Sequence, residues 1–139
     1  MSGLADSENL QRWWQEHSEL DGLVLAVEAT MREGSLARTG QALEELESAL
    51  DAHFTVEERV YFPLIEKLSR EHHTSIRTAR EGHLRIGELL GELHELVERG
   101  ELAAARRTLA QLLDRFRDHE AHEVKLIADL EALDGVATD

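Results

Sequence analysis

Apolar side chains recur every three or four residues along four long blocks of the chain, and this spacing is the period of an amphipathic α-helix. The blocks predict core helices over about residues 7–33, 36–70, 75–99 and 101–133. Gly34 and Gly100 end the first and third blocks, and Pro63 should kink the second block or mark its last turns. Four such helices joined by short turns predict an all-α, up-down-up-down antiparallel four-helix bundle.

Composition agrees with this pattern. Apolar residues make up 42% of the chain, but aromatic residues only 4%, and there is a single proline. A mixture rich in Leu, Ala and Glu and poor in β-branched residues favours long helices over sheet. The length of 139 residues suggests one domain over residues 1–139.

The charge of the chain restricts its partners. Fifteen basic residues against 29 acidic residues give a formal net charge of −14. This charge repels phosphate backbones and anionic membranes, so we expect neither nucleic acid nor a membrane as a partner. No apolar run approaches the ~18 residues of a membrane span, and the N-terminus lacks the features of a signal sequence. We therefore expect a cytoplasmic protein.

Each apolar block is interrupted by polar residues that share its direction. They are His17 in the first block, His53 and Glu57 in the second, His83 in the third, and His119 and Glu123 in the fourth. Residues four apart on a helix point the same way, so these side chains face the predicted core. Burying polar groups without partners costs about 2–7 kcal/mol each. These six polar side chains therefore need binding partners in the core.

The two halves of the chain repeat each other at a distance of 66 residues. The shift aligns His17 with His83, His53 with His119, Glu57 with Glu123, and Gly34 with Gly100. The bundle is thus predicted to consist of two repeated helical hairpins. Packing them about a pseudo-two-fold axis would bring four imidazoles and two carboxylates together in the middle of the bundle.

A metal cluster is one partner that removes the cost of burial, because ligands bound to a cation are satisfied. Nitrogen and oxygen donors suit iron, manganese or zinc, and the chain has no cysteine to add sulfur. Two glutamates related by the repeat favour a binuclear centre, since a carboxylate can bridge two ions. Taken singly, each histidine could instead be hydrogen-bonded in the core, and His53 with Glu57 could be a pair on a solvated face. The shared spacing favours the metal site.

The segments 53-HFTVEERVYFP-63, 81-EGHLRIGELL-90 and 118-DHEAHEVKLI-127 carry the pattern His…His-x-x-x-Glu…His…His-x-x-x-Glu, with His17 supplying the first histidine. This pattern resembles the hemerythrin-like, or HHE cation-binding, family over about residues 7–133. The resemblance implies a bundle that encloses two non-haem iron ions bridged by an oxygen atom and by two carboxylates. In proteins of that family, the iron binds or reacts with dioxygen. The ligands that it implies here are His17, His53, Glu57, His83, His119 and Glu123.

One part of the family pattern differs in this chain. Oxygen-carrying hemerythrins place two histidines one turn apart on the third helix, whereas the residues one turn either side of His83 are Ala79 and Gly87. Two octahedral irons offer about 12 positions, and the implied ligands with one bridging oxygen fill about 10 of them. Roughly one position on each iron would stay open. We expect small ligands to bind there, near Ala79, Gly87 and Tyr61.

Three aromatic residues lie near the predicted centre. Tyr61 breaks the repeat, because its equivalent is Ile127. It is either a packing residue, or a hydrogen-bond donor or phenolate ligand at an open iron position. Trp13 and Trp14 are expected chiefly to pack, with one of them walling the cavity near His17. An exposed one of the two could instead anchor an interaction with a partner.

Other polar residues near the pattern are expected to lie outside the centre. His72 and His73 fall in the turn between the second and third helices and should be solvated. His94 and His122 flank the apolar stripes of their helices. Glu58 points well away from His53 and is expected to be a surface carboxylate.

Three functions agree with the sequence. The first, which we favour, is a non-haem di-iron protein that binds or reacts with dioxygen, peroxide or small anions, in oxygen, redox or iron sensing or binding. The second is a di-iron enzyme that decomposes peroxide or oxidises iron. The third is a metal-poor helical interaction module with an unidentified protein partner. The repeated core His and Glu residues argue against the third function, and the sequence does not separate the first two.

Overall fold

The computed structural model describes residues 7–138, so residues 1–6 and 139 of the predicted domain lie outside the described residues. In chain order, its segments are α1 (Ser7–Glu33), α2 (Leu36–Val56), a π-helical turn (Glu57–Tyr61), α3 (Phe62–Leu68), a 3₁₀ turn (Arg70–His72), α4 (His73–Glu98) and α5 (Leu102–Thr138). Residues 7–138 contain no strand, which confirms the all-α prediction. Within that range, no helix combines the length and the apolarity needed to cross a bilayer.

The helices form the predicted four-helix bundle. α2, the π-helical turn and α3 follow one another without a break and act as one long second helix. α1 packs against α2 and α4 packs against α5, which gives the two hairpins, and contacts between α2 and α4 join them. The last helix continues to Thr138, beyond the residue 133 at which its apolar pattern fades.

The two turns within the hairpins are built alike. Gly34 and Gly100 have φ angles of +77° and +73°, a left-handed conformation that favours glycine. In each turn, the amide after the glycine donates to a carbonyl five residues earlier (Ser35 N to Thr30 O, 3.2 Å; Glu101 N to Leu96 O, 3.0 Å). These bonds satisfy carbonyls that the helix end leaves open.

The π-helical turn Glu57–Tyr61 lies immediately before Pro63. The amide of Phe62 donates to the carbonyl of Glu57, five residues back. Pro63 has no amide hydrogen, and its ring crowds the preceding turn, so a wider turn relieves both constraints. The helix then ends at Leu68. Pro63 is thus accommodated by a wider turn within a continuous helix.

The core consists of two apolar clusters with polar residues between them. The larger cluster lies toward Gly34 and Gly100, and the smaller lies at the opposite end of the bundle. On α1, for example, Trp13 belongs to the smaller cluster and Leu20 to the larger, with His17 between them. The same order holds on the other long helices. Burial of the apolar residues on both sides therefore places the six polar side chains in the interior of the bundle.

Candidate metal centre

The structure brings the six predicted ligands together in the middle of the bundle. Each of the long helices contributes at least one of them, and all are only 1–6% exposed. α1 carries His17, α2 carries His53, the π-helical turn begins with Glu57, α4 carries His83, and α5 carries His119 and Glu123. Because the side chains come from separate helices, the packing of the whole bundle fixes their positions.

The four imidazoles form two pairs. His17 and His53, called the first pair, have ring centroids 4.8 Å apart. His83 and His119, called the second pair, have ring centroids 4.7 Å apart. The first pair belongs to the N-terminal hairpin and the second to the C-terminal hairpin, as the 66-residue repeat predicts.

Glu57 lies between the two pairs. Its Oε2 is 3.3 Å from Nε2 of His53, in the first pair. Its Oε1 is 3.1 Å from Nε2 of His83, in the second pair. The carboxylate of Glu57 therefore directs one oxygen to each pair.

Glu123 has the same arrangement. Its Oε1 is 3.4 Å from Nε2 of His17, and its Oε2 is 3.0 Å from Nε2 of His119. Around each pair, the two imidazoles and the two carboxylates offer four donor atoms that all lie within 4.8 Å of one another. The centre thus provides two adjacent four-donor sites that share both glutamates.

Three imidazole nitrogens in this centre have unmet hydrogen-bonding capacity. Nε2 of His17, His53 and His119 is buried and has no hydrogen-bond partner, although carboxylate oxygens lie nearby. A buried polar atom without a partner costs about 1–3 kcal/mol. A cation bound to these nitrogens would remove that cost, and a set of nitrogen and oxygen donors suits iron, manganese or zinc. The residues present therefore fit a metal ion at each pair.

Carboxylates also contact the opposite ring nitrogen of three histidines. Since a carboxylate only accepts, the ring nitrogen is the donor in these bonds. Nδ1 of His53 donates to Glu16 (3.2 Å), Nδ1 of His83 donates to Glu58 (2.8 Å), and Nδ1 of His17 lies 3.5 Å from Glu120. A proton fixed on Nδ1 leaves Nε2 free for a metal and fixes the orientation of the ring.

These outer carboxylates were not predicted from the sequence. Glu58 has the half-exposed side chain expected of a surface carboxylate, and it also bonds to Nδ1 of His83, a contact that was not expected. Glu16 and Glu120 each directly follow or precede a histidine ligand, and each contacts a histidine on another helix. An acidic neighbour of a ligand was the only signal, and it is weak in a chain with 29 acidic residues.

Trp13 does more than pack. It is 1% exposed, and its ring lies 3.8 Å from that of His17, so it walls the cavity there. Its Nε1 also donates a hydrogen bond of 3.2 Å to Oε2 of Glu57. Trp14, by contrast, is 47% exposed. The sequence predicted the wall but not the hydrogen bond.

Without metal, the centre is an array of opposite charges. Burial lowers the pKa of His17, but the carboxylates of Glu120 and Glu123 outweigh it and raise that pKa to about 9. At His83, burial is likewise outweighed by its carboxylate neighbours, Glu123 first, and the pKa rises to about 10. Burial raises the pKa of Glu123, but the imidazoles around it, His119 first, hold it well below its usual range. A metal ion therefore has to displace protons from this centre.

The three residues expected near open metal positions differ in their surroundings. Tyr61 and Ala79 are buried in the smaller apolar cluster. Burial raises the pKa of the Tyr61 phenol, and the charge of Glu16 adds to that rise. Gly87 instead lines a groove of about 740 Å³ between α2 and α4, and His83 lines the same groove. Of the three, Gly87 borders open space.

The remaining histidines do not join the centre. His72 is buried rather than solvated, so that expectation is wrong; its Nε2 lies 3.9 Å from the carboxylate of Asp129. His73 is exposed, as expected. His94 bonds to a glutamate on α2, and His122 donates to a backbone carbonyl at the start of α4.

Comparison with known proteins gives one match. The model of the family described as the Hemerythrin HHE cation binding domain matches residues 8–130. No curated protein and no solved structure gives a significant match to the chain. The matched range contains all six residues of the two four-donor sites.

Proposed function

Because the chain belongs to the hemerythrin HHE cation-binding domain family, we propose that its centre holds two iron ions and binds or reacts with dioxygen or related small ligands. The proposed ligands are the six residues of the two four-donor sites. Glu57, Glu123 and one oxygen atom would bridge the irons. We propose that the protein acts in the cytoplasm, where it senses or binds oxygen, or takes part in redox or iron sensing.

The position of the two glutamates is the observation that carries this proposal. Each buried carboxylate directs one oxygen to each histidine pair. A carboxylate that served a single ion, or one that only hydrogen-bonded to a core histidine, would not need to face both pairs. Two bridging carboxylates are a recurrent feature of di-metal centres in helical bundles.

Iron would supply open coordination positions and a change of oxidation state, and the protein would supply position and environment. The Trp13 bond holds one oxygen of the Glu57 carboxylate in place. Carboxylates on Nδ1 orient the rings of His17, His53 and His83. The two apolar clusters cover the centre at both ends along the bundle axis.

Tyr61 is proposed to act as a hydrogen-bond donor beside the centre. Its burial, together with the charges of Glu16 and Glu57, raises the pKa of the phenol, so the hydroxyl stays protonated in the metal-free protein. A protonated phenol donates a hydrogen bond more readily than it ligates a metal. This favours the donor role over the phenolate role.

The groove that reaches His83 favours a second candidate function, an enzyme that decomposes peroxide or oxidises iron. A volume of about 740 Å³ far exceeds that of dioxygen and leaves room for peroxide with its hydration water. Rapid oxygen release from added peroxide would support this enzyme. A stable and reversible spectral change would instead support binding or sensing.

The proposal is tested by loading the metal-free protein with ferrous iron under anaerobic conditions and recording its absorption spectrum. Air and, separately, hydrogen peroxide are then added. The zinc-loaded protein is the control, because zinc also binds nitrogen and oxygen donors but has no redox chemistry. We expect new near-ultraviolet and visible bands in the iron protein only. Identical spectra from the iron and zinc proteins after both additions would contradict the proposal.

A further inference from the structure

The internal repeat does not extend to the residue that contacts Nδ1 of His53, because the equivalent residue beside His119 differs. Glu16 accepts a hydrogen bond from Nδ1 of His53, and the residue equivalent to Glu16 in the second half is Gly82. A Cβ atom at Gly82 would lie 2.5 Å from Nδ1 of His119. The ring of His119 thus occupies the space that a side chain at position 82 would need, and Gly82 supplies no carboxylate to it.

The two histidine pairs therefore differ in their outer carboxylates. In the first pair, His53 has Glu16 and His17 has Glu120. In the second pair, His83 has Glu58. Among the described residues, Nδ1 of His119 has no carboxylate partner; the only ion pair of this histidine is that of its Nε2 with Glu123.

The second pair also borders open space on two sides. His83 lines the groove between α2 and α4. His119 lines a separate groove of about 350 Å³ between α4 and α5, and Gly82 lines it too. Solvent thus approaches both histidines of the second pair from the surface.

We propose that the two metal positions are unequal, and that the position at the second pair is the exchangeable one. This inference rests on the proposed function. A carboxylate on Nδ1 makes the imidazole more basic and fixes its orientation, and losing such a partner typically lowers metal affinity about 10–100-fold. The position at the first pair, with two such partners, fills first and keeps its ion. The position at the second pair fills last, releases its ion first, and is the one that small ligands reach.

The test is a titration of the metal-free protein with Co²⁺, whose visible absorption reports coordination, followed by a chase with a chelator. We expect two binding steps whose affinities differ at least tenfold. We also expect one of the two bound ions to leave rapidly in the chase and the other slowly. Two indistinguishable steps would overturn the inference. Binding of at most one ion at saturation would instead overturn the proposed di-metal function, so the two failures are distinct.

Two substitutions assign the steps to the pairs. In Gly82→Ala, the new methyl group should displace the ring of His119 and abolish the weaker step only, with Gly22→Ala in open space on α1 as the control. In Glu16→Ala, the tighter step should weaken about 10–100-fold, with the exposed Glu19→Ala as the control. Loss of the tighter step in Gly82→Ala, or weakening of only the looser step in Glu16→Ala, would contradict the assignment. If Gly82→Ala does not fold, the Glu16→Ala titration decides alone.

Discussion

Glu57 and Glu123 occupy equivalent places in the two halves of the chain, and each contacts both histidine pairs. Glu57→Ala and Glu123→Ala should therefore each lose metal, because each substitution removes one oxygen donor from both positions. Metal content per chain after reconstitution and dialysis measures the loss, with the exposed His73→Ala as the control. Full metal content in Glu123→Ala together with loss in Glu57→Ala would show that the glutamates are not equivalent bridges.

Trp13 is expected to stabilise the protein through its bond to Glu57. Hydrogen bonds to charged groups contribute about 1.5–3 kcal/mol. Trp13→Phe keeps an aromatic ring against His17 but removes the donor and leaves a small cavity, so the free energy of unfolding in urea should fall by at least that amount. Trp14→Phe, at the half-exposed neighbour, should change it by less than about 0.5 kcal/mol. Equal effects of the two substitutions would mean that the hydrogen bond contributes little.

At the residue scale, the sequence predicted which side chains meet in the core but not the groups that surround them. The six polar residues stand out because they interrupt apolar stripes at repeated spacing. The contacts of Glu16, Glu58 and Glu120 depend on how each helix is rotated against its neighbour, and the apolar pattern does not fix that rotation closely enough. Their side chains are also partly exposed, like those of many other glutamates in the chain.

At the scale of elements, the main feature that the sequence did not reveal is the π-helical turn Glu57–Tyr61. Pro63 predicted a disturbance, and the structure places it in the preceding turn, where the proposed ligand Glu57 lies. A wider turn reduces the angle between successive side chains. Glu57 therefore faces the centre while the adjacent Glu58 still reaches His83. Short π-helical turns inside α-helices are frequently found at functional sites.

The groove between α2 and α4 provides a test of ligand access. A Cβ atom at Gly87 would meet nothing within 4 Å, so Gly87→His should fold and should place an imidazole in the groove that His83 lines. The iron-loaded variant should bind azide more weakly than the parent protein, measured by absorption titration. Gly91→His, one turn further along the same groove, is the control. Unchanged azide affinity in a folded, iron-loaded Gly87→His protein would show that small ligands enter elsewhere.

At the scale of the whole molecule, the apolar period and the turn glycines were sufficient to predict the bundle. Leu, Ala and Glu dominate the chain, and the repeat specifies two hairpins that bury the same face. The contacts that join the hairpins through α2 and α4 could not be predicted from periodicity, because it determines which face of a helix is buried but not which helix covers it.

The charges of the metal-free centre predict how stability depends on pH. His17 and His83 have pKa values raised from 6.5 to about 9 and about 10. The stability that they contribute is fully present below pH 6.5 and is lost as pH rises through 9 and 10. Urea unfolding of the metal-free protein should therefore show falling stability from about pH 7 to pH 10.

Metal affinity should change in the opposite direction. Protons and metal compete for the same imidazoles, so affinity should rise with pH over the range in which these protons dissociate. Zinc titrations from pH 6 to pH 9 measure this, and proton release during binding provides an independent check. Constant affinity across the range would indicate that these histidines are not ligands.

A binuclear iron centre shared between the two hairpins should hold two ions in every folded chain. Native mass spectrometry counts the iron ions per folded chain after anaerobic loading with ferrous iron and removal of the excess. We predict a mass that corresponds to two iron ions per chain. When Glu57 or Glu123 is replaced by alanine, we predict fewer than two iron ions per chain. A folded wild-type chain that carries one iron ion, or none, would contradict the binuclear iron centre.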